Sequence, residues 1–216
     1  MKIYKNRLYI SAVFLGAFVL WTAALYFVDV QPIGPDGSLV GFGTVNGYVH
    51  SLTGVHFVLY TVTDWLGLVP IAVCAVFGVM GLAQLVKRKS LQKVDRDIIV
   101  MGIYYVAVIA LYLLFEAVKV NCRPVLINGV LEASYPSSTT MLVMCVMPTA
   151  AMQAEKRIKN SMLKKCAVAA AYAFTVFMVT ARFVSGVHWF SDIVGGVLLS
   201  AGMVMLYSAL SGAELK

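Results

Sequence analysis

Six stretches of this chain stay apolar for about as long as a helix needs to cross a bilayer. Residues 8–28, 65–86, 98–118, 139–154, 166–181 and 189–210 carry almost no charge. A hydrocarbon core about 30 Å thick takes roughly 20 such residues as a helix. In lipid, every backbone N–H and C=O must be satisfied within the segment, so each stretch is expected to be α-helical. The expectation is an all-α polytopic membrane protein, a six-transmembrane-helix bundle forming one domain over residues 1–216. The stretches at 139–154 and 166–181 are short, so their ends should lie near the surface or borrow snorkelling flanks. The first stretch follows a basic start, but it exceeds the about 7–15 residues of a signal h-region and is expected to be the first span. Composition agrees: 61% hydrophobic and 12% charged residues, with mean hydropathy +0.86, exclude an ordinary soluble domain.

Cations sort along the sequence. Lys2, Lys5 and Arg7 precede the first span; Lys87, Arg88, Lys89, Lys93 and Arg96 follow the second; Lys156, Arg157, Lys159, Lys164 and Lys165 follow the fourth; Lys216 ends the chain. With six spans these groups share one side, the cytoplasmic side by the positive-inside rule. That accounts for the net charge of +7 without a nucleic-acid partner. Only Lys119, Arg123 and Arg182 are left for the outer face. Three cations converging at a membrane surface suit a phosphate, which arginine grips with a planar fork. The cysteines, Cys74, Cys122, Cys145 and Cys166, lack metal-ligand spacing and read as small hydrophobes. A weak apolar stripe, Val49, Leu52, Val55, Leu59 and Val62, predicts an interfacial helix after the "QPIGPDGSLVGFG" loop.

Three stretches on that outer side carry chemistry. In "KVNCRPV", Arg123 offers its fork and Pro124 stiffens the chain. In "SYPSSTTM", Ser134 can cap a helix, Pro136 suits its first turn, and Ser137 and Ser138 add hydroxyls. A helix start of this kind presents free N–H groups to an anion. In "ARFVSGVHWFSD", His188 and Asp192 lie four apart and share a helix face, with Arg182 a short turn upstream. A carboxylate placed so can hold one imidazole N–H and leave the other nitrogen as a nucleophile or base.

Together these stretches resemble the type-2 phosphatidic acid phosphatase superfamily, the membrane lipid phosphatases and their vanadium-haloperoxidase-like relatives, with motifs KxxxxxxRP, PSGH and SRxxxxxHxxxD. The third motif is matched by Arg182, His188 and Asp192, with Ala181 at the leading serine. Arg123 and Pro124 match the end of the first, and Pro136 and Ser137 the start of the second. The resemblance implies that His188 attacks phosphorus to form a phosphohistidine and that Asp192 orients it. It also implies that Arg123, Arg182 and the Ser137 region hold the phosphoryl oxygens, and that no metal or cofactor takes part. The partner would be a phosphorylated lipid such as undecaprenyl diphosphate, phosphatidate or phosphatidylglycerophosphate, at the outer leaflet of the cell membrane.

Two positions depart from the pattern. Glu116 stands where the family has lysine, and Lys119, one turn on, is the candidate to replace it. Thr139 stands where the family has the histidine that protonates the leaving group; His50 and His56 are candidates for that role. Three readings follow: a lipid phosphatase, a catalytically silent relative that binds phosphorylated headgroups, and a transporter using an intramembrane Glu116. Only the first needs His188 and Asp192 together.

Overall fold

The computed structural model describes residues 2–212, and Lys216 lies outside them. Among these described residues eight α-helices follow one another: α1 (Lys2–Ala24), α2 (Gly43–Thr53), α3 (Phe57–Leu66), α4 (Leu68–Arg88), α5 (Arg96–Ala117), α6 (Ser138–Arg157), α7 (Ser161–Val184) and α8 (Phe190–Ser211). Among the described residues pairing is limited to isolated bridges, Gln31 with Val40, Cys122 with Ala133, and Ile127 with Val130.

Among the described residues, five segments have the length and apolarity to cross a membrane: Tyr4–Ala24, Phe57–Arg88, Arg96–Ala117, Ser161–Val184 and Phe190–Ser211. The fold is thus all-helical, as expected, and the chain is a multi-pass membrane protein. The sixth expected span differs in kind. α6 has 20 residues, about 30 Å of helix, but it is too polar to meet the same measure. Its Thr140, Thr149 and Gln153 are buried against neighbouring helices, so protein, rather than lipid, surrounds them. The apolar run over 139–154 is short because the helix continues through Glu155, Lys156 and Arg157.

The second expected span is longer than its apolar run. The chain stays helical through Gly67 (φ −59°, ψ −17°), so α3 and α4 make one continuous crossing segment. The stripe expected as a single interfacial helix is therefore split. Gly54, at φ +64°, breaks it, leaving Val49 and Leu52 on α2 and giving Leu59 and Val62 to the crossing segment.

α8 is the hub, packing along α1 and α6, while α6 also packs on α7. Small residues permit the approach. Ser11 on α1 donates to the Gly202 carbonyl at 2.8 Å. Around this contact Phe18, Met101, Tyr104, Met141, Leu199 and Tyr207 form the buried core.

The two ends of the bundle differ in charge. At one end Arg157 pairs with Asp95 at 3.2 Å and Asp97 at 2.9 Å, while Arg88 meets Asp95 at 2.8 Å. Hydrogen bonds from Arg88, Gln84 and Arg157 hold the Asp95 carboxyl down to about 2. These bonds tie the basic loop after α4 to the end of α6, so the two cation-rich loops share one end. The opposite end gathers the last turns of α5 and α7 and the first turns of α6 and α8, where all three sequence motifs lie.

Candidate active site

At that second end Asp192 sits in the first turn of α8 and is fully buried. Its Oδ2 accepts the Trp189 N–H at 2.9 Å, and its Oδ1 accepts from Asn121 at 3.3 Å. The preceding loop is fastened elsewhere too. Trp189 Nε1 donates to the Cys122 carbonyl at 2.8 Å. Asn46, wholly buried on α2, accepts from Ser191 N at 3.0 Å and donates to Ser191 Oγ at 2.9 Å.

His188 is held from two sides. Its Nδ1 lies 3.1 Å from the Ser134 carbonyl, which can only accept, so Nδ1 carries the proton. Nε2 is then the lone-pair nitrogen, and it faces Arg123 Nη1 at 3.3 Å. Burial and the nearby Arg123 and Arg182 charges push this imidazole well below the usual histidine range, so it is neutral. The expected contact with Asp192 takes a different form: Asp192 Oδ2 stands 3.8 Å from Nδ1, and the carbonyl is the closer partner. Asp192 places the ring through the loop it caps, with its carboxyl group beside it.

The α5–α6 loop doubles back to supply that carbonyl. Arg123 N donates to the Glu132 carbonyl at 3.0 Å, and Ser134 N to the Asn121 carbonyl at 2.9 Å. Arg123 is buried; its Nε pairs with Glu132 at 3.0 Å, and its guanidinium lies 5.8 Å from the Tyr60 ring centre. Arg182, only 1% exposed, stacks on the same ring at 4.7 Å. It donates to Thr63 Oγ1 at 3.1 Å and pairs with Asp64 at 3.7 Å. The structure thus brings Arg123, Arg182, His188 and Asp192 together.

The second motif is corrected in detail. α6 starts at Ser138, with Ser137 at the N-cap position; Ser134 is not its cap and instead contributes the carbonyl under His188. Ser137 N–H is not free for an anion, because it donates to the Asp192 carbonyl at 3.1 Å. Ser137 Oγ and Thr140 Oγ1 are buried with no hydrogen-bond partner.

A cavity of 590 Å³ opens over Arg123 and Arg182. Its polar wall includes Tyr60, Asp64, Glu116, Arg123, Thr139 and Arg182; its apolar wall includes Leu68, Ile71, Ile109 and Leu142. A narrow cleft beside it is lined by His188, Ser134 and Pro136, and shares Tyr112, Glu116 and Ser138 with the cavity. Lys119 lines neither space and is exposed. His50 and His56 are likewise outside the lining: His50 bonds the Gly186 carbonyl at 3.1 Å and packs on Trp189, and His56 bonds the Thr53 carbonyl at 2.9 Å. Among the described residues, no three His, Cys, Asp or Glu side chains stand close enough together to hold a metal ion.

Sequence reasoning missed Asn46, Tyr60, Asp64, Asn121 and Glu132. Asn121 stands two residues before Arg123, which was its only available signal. Glu132 stands two residues before Ser134 and had only that signal; Asn46, Tyr60 and Asp64 lie far from the motifs in sequence and reach the site only through packing.

Fold and site define a class: a multi-pass helical membrane protein with a buried histidine, a carboxylate and two arginines at one end of the bundle. The sequence profile of the PAP2 superfamily matches residues 37–215, and the chain belongs to that superfamily. A solved structure, titled as the first transmembrane PAP2-type phosphatidylglycerolphosphate phosphatase from Bacillus subtilis, matches with a TM-score of 0.60. The match covers 93% of this chain and 94% of that one at 18% identity, a likeness of fold. A search of curated proteins found no match.

The loop carrying His188 depends on one close approach. Gly186 has φ +67°, and a Cβ there would stand 1.7 Å from the Gly54 carbonyl oxygen. Gly186→Ala is expected to lower stability by about 1–3 kcal/mol, seen as a reduced thermal midpoint in detergent. Gly16→Ala, which meets nothing within 4 Å, serves as the matched control and should leave the midpoint unchanged or slightly raised.

Proposed function

We propose that this chain is a membrane lipid phosphatase that works through a phosphohistidine at the extracytoplasmic face. The observation that carries the reading is the Nε2 lone pair of a neutral, buried His188 facing Arg123, with Arg182 stacked on the same tyrosine. A phosphoryl group entering at Nε2 beside the guanidiniums, in place of the direct His188–Arg123 contact, meets a nucleophile and fixed positive charge where the transition state concentrates negative charge. Nε2 attacks phosphorus; a P–N bond forms as the P–O bond breaks, and the leaving oxygen keeps the electron pair. Water then attacks phosphorus, the P–N electrons return to Nε2, and inorganic phosphate departs. Ser138, which lines both the cavity and the cleft, helps hold the phosphoryl oxygens, and Ser137 beside it at the α6 N-cap is assigned the same role. The apolar cavity wall suits a lipid tail.

The test is phosphate release by purified protein from a panel of lipid mono- and diphosphates. His188→Ala should abolish turnover. Asp192→Asn should leave residual activity, down by between about 10² and 10⁴, since the Ser134 carbonyl still orients the ring. Full activity in His188→Ala would refute the nucleophile assignment, and absence of turnover by the parent protein on every lipid would support a silent headgroup binder instead.

Sidedness is testable in intact cells. In a background lacking the native cysteines, Gly129→Cys should react with an impermeant thiol reagent and Asn160→Cys should not. The reverse pattern would refute the outer-leaflet assignment.

Thr139 generates a prediction about leaving groups. A lipid monophosphate expels an alkoxide, a base comparable to hydroxide (the pKa of water is about 15.7). A diphosphate expels a phosphate monoester, whose second pKa is about 6 and which needs no proton at neutral pH. General acid help is worth about 10²–10⁴-fold, so diphosphates should be favoured. Thr139→His should raise kcat/KM on monophosphates selectively; equal rates of the parent on matched mono- and diphosphates would show that another acid serves.

A further inference from the structure

Glu116 is the residue that a phosphate-binding reading of this site leaves unexplained. It lies in the last turn of α5 and lines both the arginine cavity and the histidine cleft. Asp64 and Glu132 line the cavity as well, so three carboxylates face two guanidiniums, with His188 neutral. Both guanidiniums already have partners, Arg123 in Glu132 and Arg182 in Asp64. Among the described residues Glu116 makes no ion pair, and Lys119 does not neutralise it. A bare phosphate would therefore meet a net negative cavity.

The same cavity also asks for an anion. Arg182 lines it, is 1% exposed, and its Nε has no hydrogen-bond partner. Buried donors left so cost free energy that an anion would recover. One kind of ligand meets both demands: a phosphate that brings positive charge with it.

We infer that this site takes its phosphorylated headgroup together with a cation, the phosphate lying on Arg123 and Arg182 and the cation on Glu116. Tyr112, which lines both spaces beside Glu116, adds an aromatic surface that favours a cation. The shared chemistry has two sources. An amine in the headgroup supplies it covalently, and a divalent ion chelated by a diphosphate supplies it from solution, taking its remaining ligands from phosphate oxygens and water. The inference rests on the site binding phosphate and does not depend on turnover.

The experiment measures equilibrium binding to His188→Ala protein in detergent micelles, where no probe is consumed. One arm compares sphingosine 1-phosphate with its N-acetyl derivative, which keeps the phosphate and loses the ammonium. The other compares farnesyl diphosphate in excess Mg²⁺ and in EDTA. The cation should tighten binding by about fivefold in at least one arm, the scale of one partly exposed charge contact. Adding Glu116→Gln should remove that ratio, and Glu116→Lys should invert it. A ratio in the first arm alone assigns the cation to the headgroup, and one in the second alone assigns it to the ion. Equal affinities in both arms, or a ratio that survives Glu116→Gln, would overturn the inference while leaving the phosphatase reading intact. Failure of every phosphate probe to bind would overturn both.

Discussion

The rest of the site depends on a single buried carboxylate at the start of α8. Asp192 takes the Trp189 N–H and the Asn121 amide on its side chain, while its backbone carbonyl takes the Ser137 N–H. Those three contacts fix the α7–α8 loop, the α5–α6 loop and the start of α6 against one another. A helix N-terminus favours a negative charge, which helps offset the cost of burying it. The Nε2 of His188 is aimed as a consequence of this junction, because the ring and the Ser134 carbonyl that orients it belong to different loops joined there.

The arginines show how such a site tolerates charge inside a membrane protein. Arg182 would be costly as an isolated cation at 1% exposure. Its guanidinium is spread over the Tyr60 ring, the Thr63 hydroxyl and the Asp64 carboxylate, all from the α3 part of the long crossing segment. The extra length of that segment therefore has chemical content. A second span beginning only at residue 65 would lack Tyr60, Thr63 and Asp64.

That extension also marks where the sequence stopped being legible. Apolar runs located the helices, because lipid demands the same pattern at every span. Spacing identified Arg123, Arg182, His188 and Asp192, because each lies beside a span end and the topology assigns all of them to one face. The α3 helix was hidden because its polar residues serve the site rather than the lipid, which shortened the apparent apolar run. Ser134 was misread as a cap for a related reason: its carbonyl, rather than its side chain, carries the role, and a backbone atom leaves no mark in the residue code. Lys119 looked like a substitute for the missing lysine by helical spacing, but α5 ends at Ala117 and the helical turn no longer applies.

The divided wall of the cavity has a consequence for how affinity should be understood. Leu68, Ile71, Ile109 and Leu142 continue the hydrocarbon surface of the bundle, whereas Arg123 and Arg182 stand at its polar rim. A lipid already anchored in the leaflet arrives with its head at the right depth and its tail on the right side, so the bilayer has removed much of its orientational freedom beforehand. Search is then confined to two dimensions. Occupancy of the cavity is set by the mole fraction of the lipid among its neighbours, and the volume of the surrounding water drops out of the equilibrium.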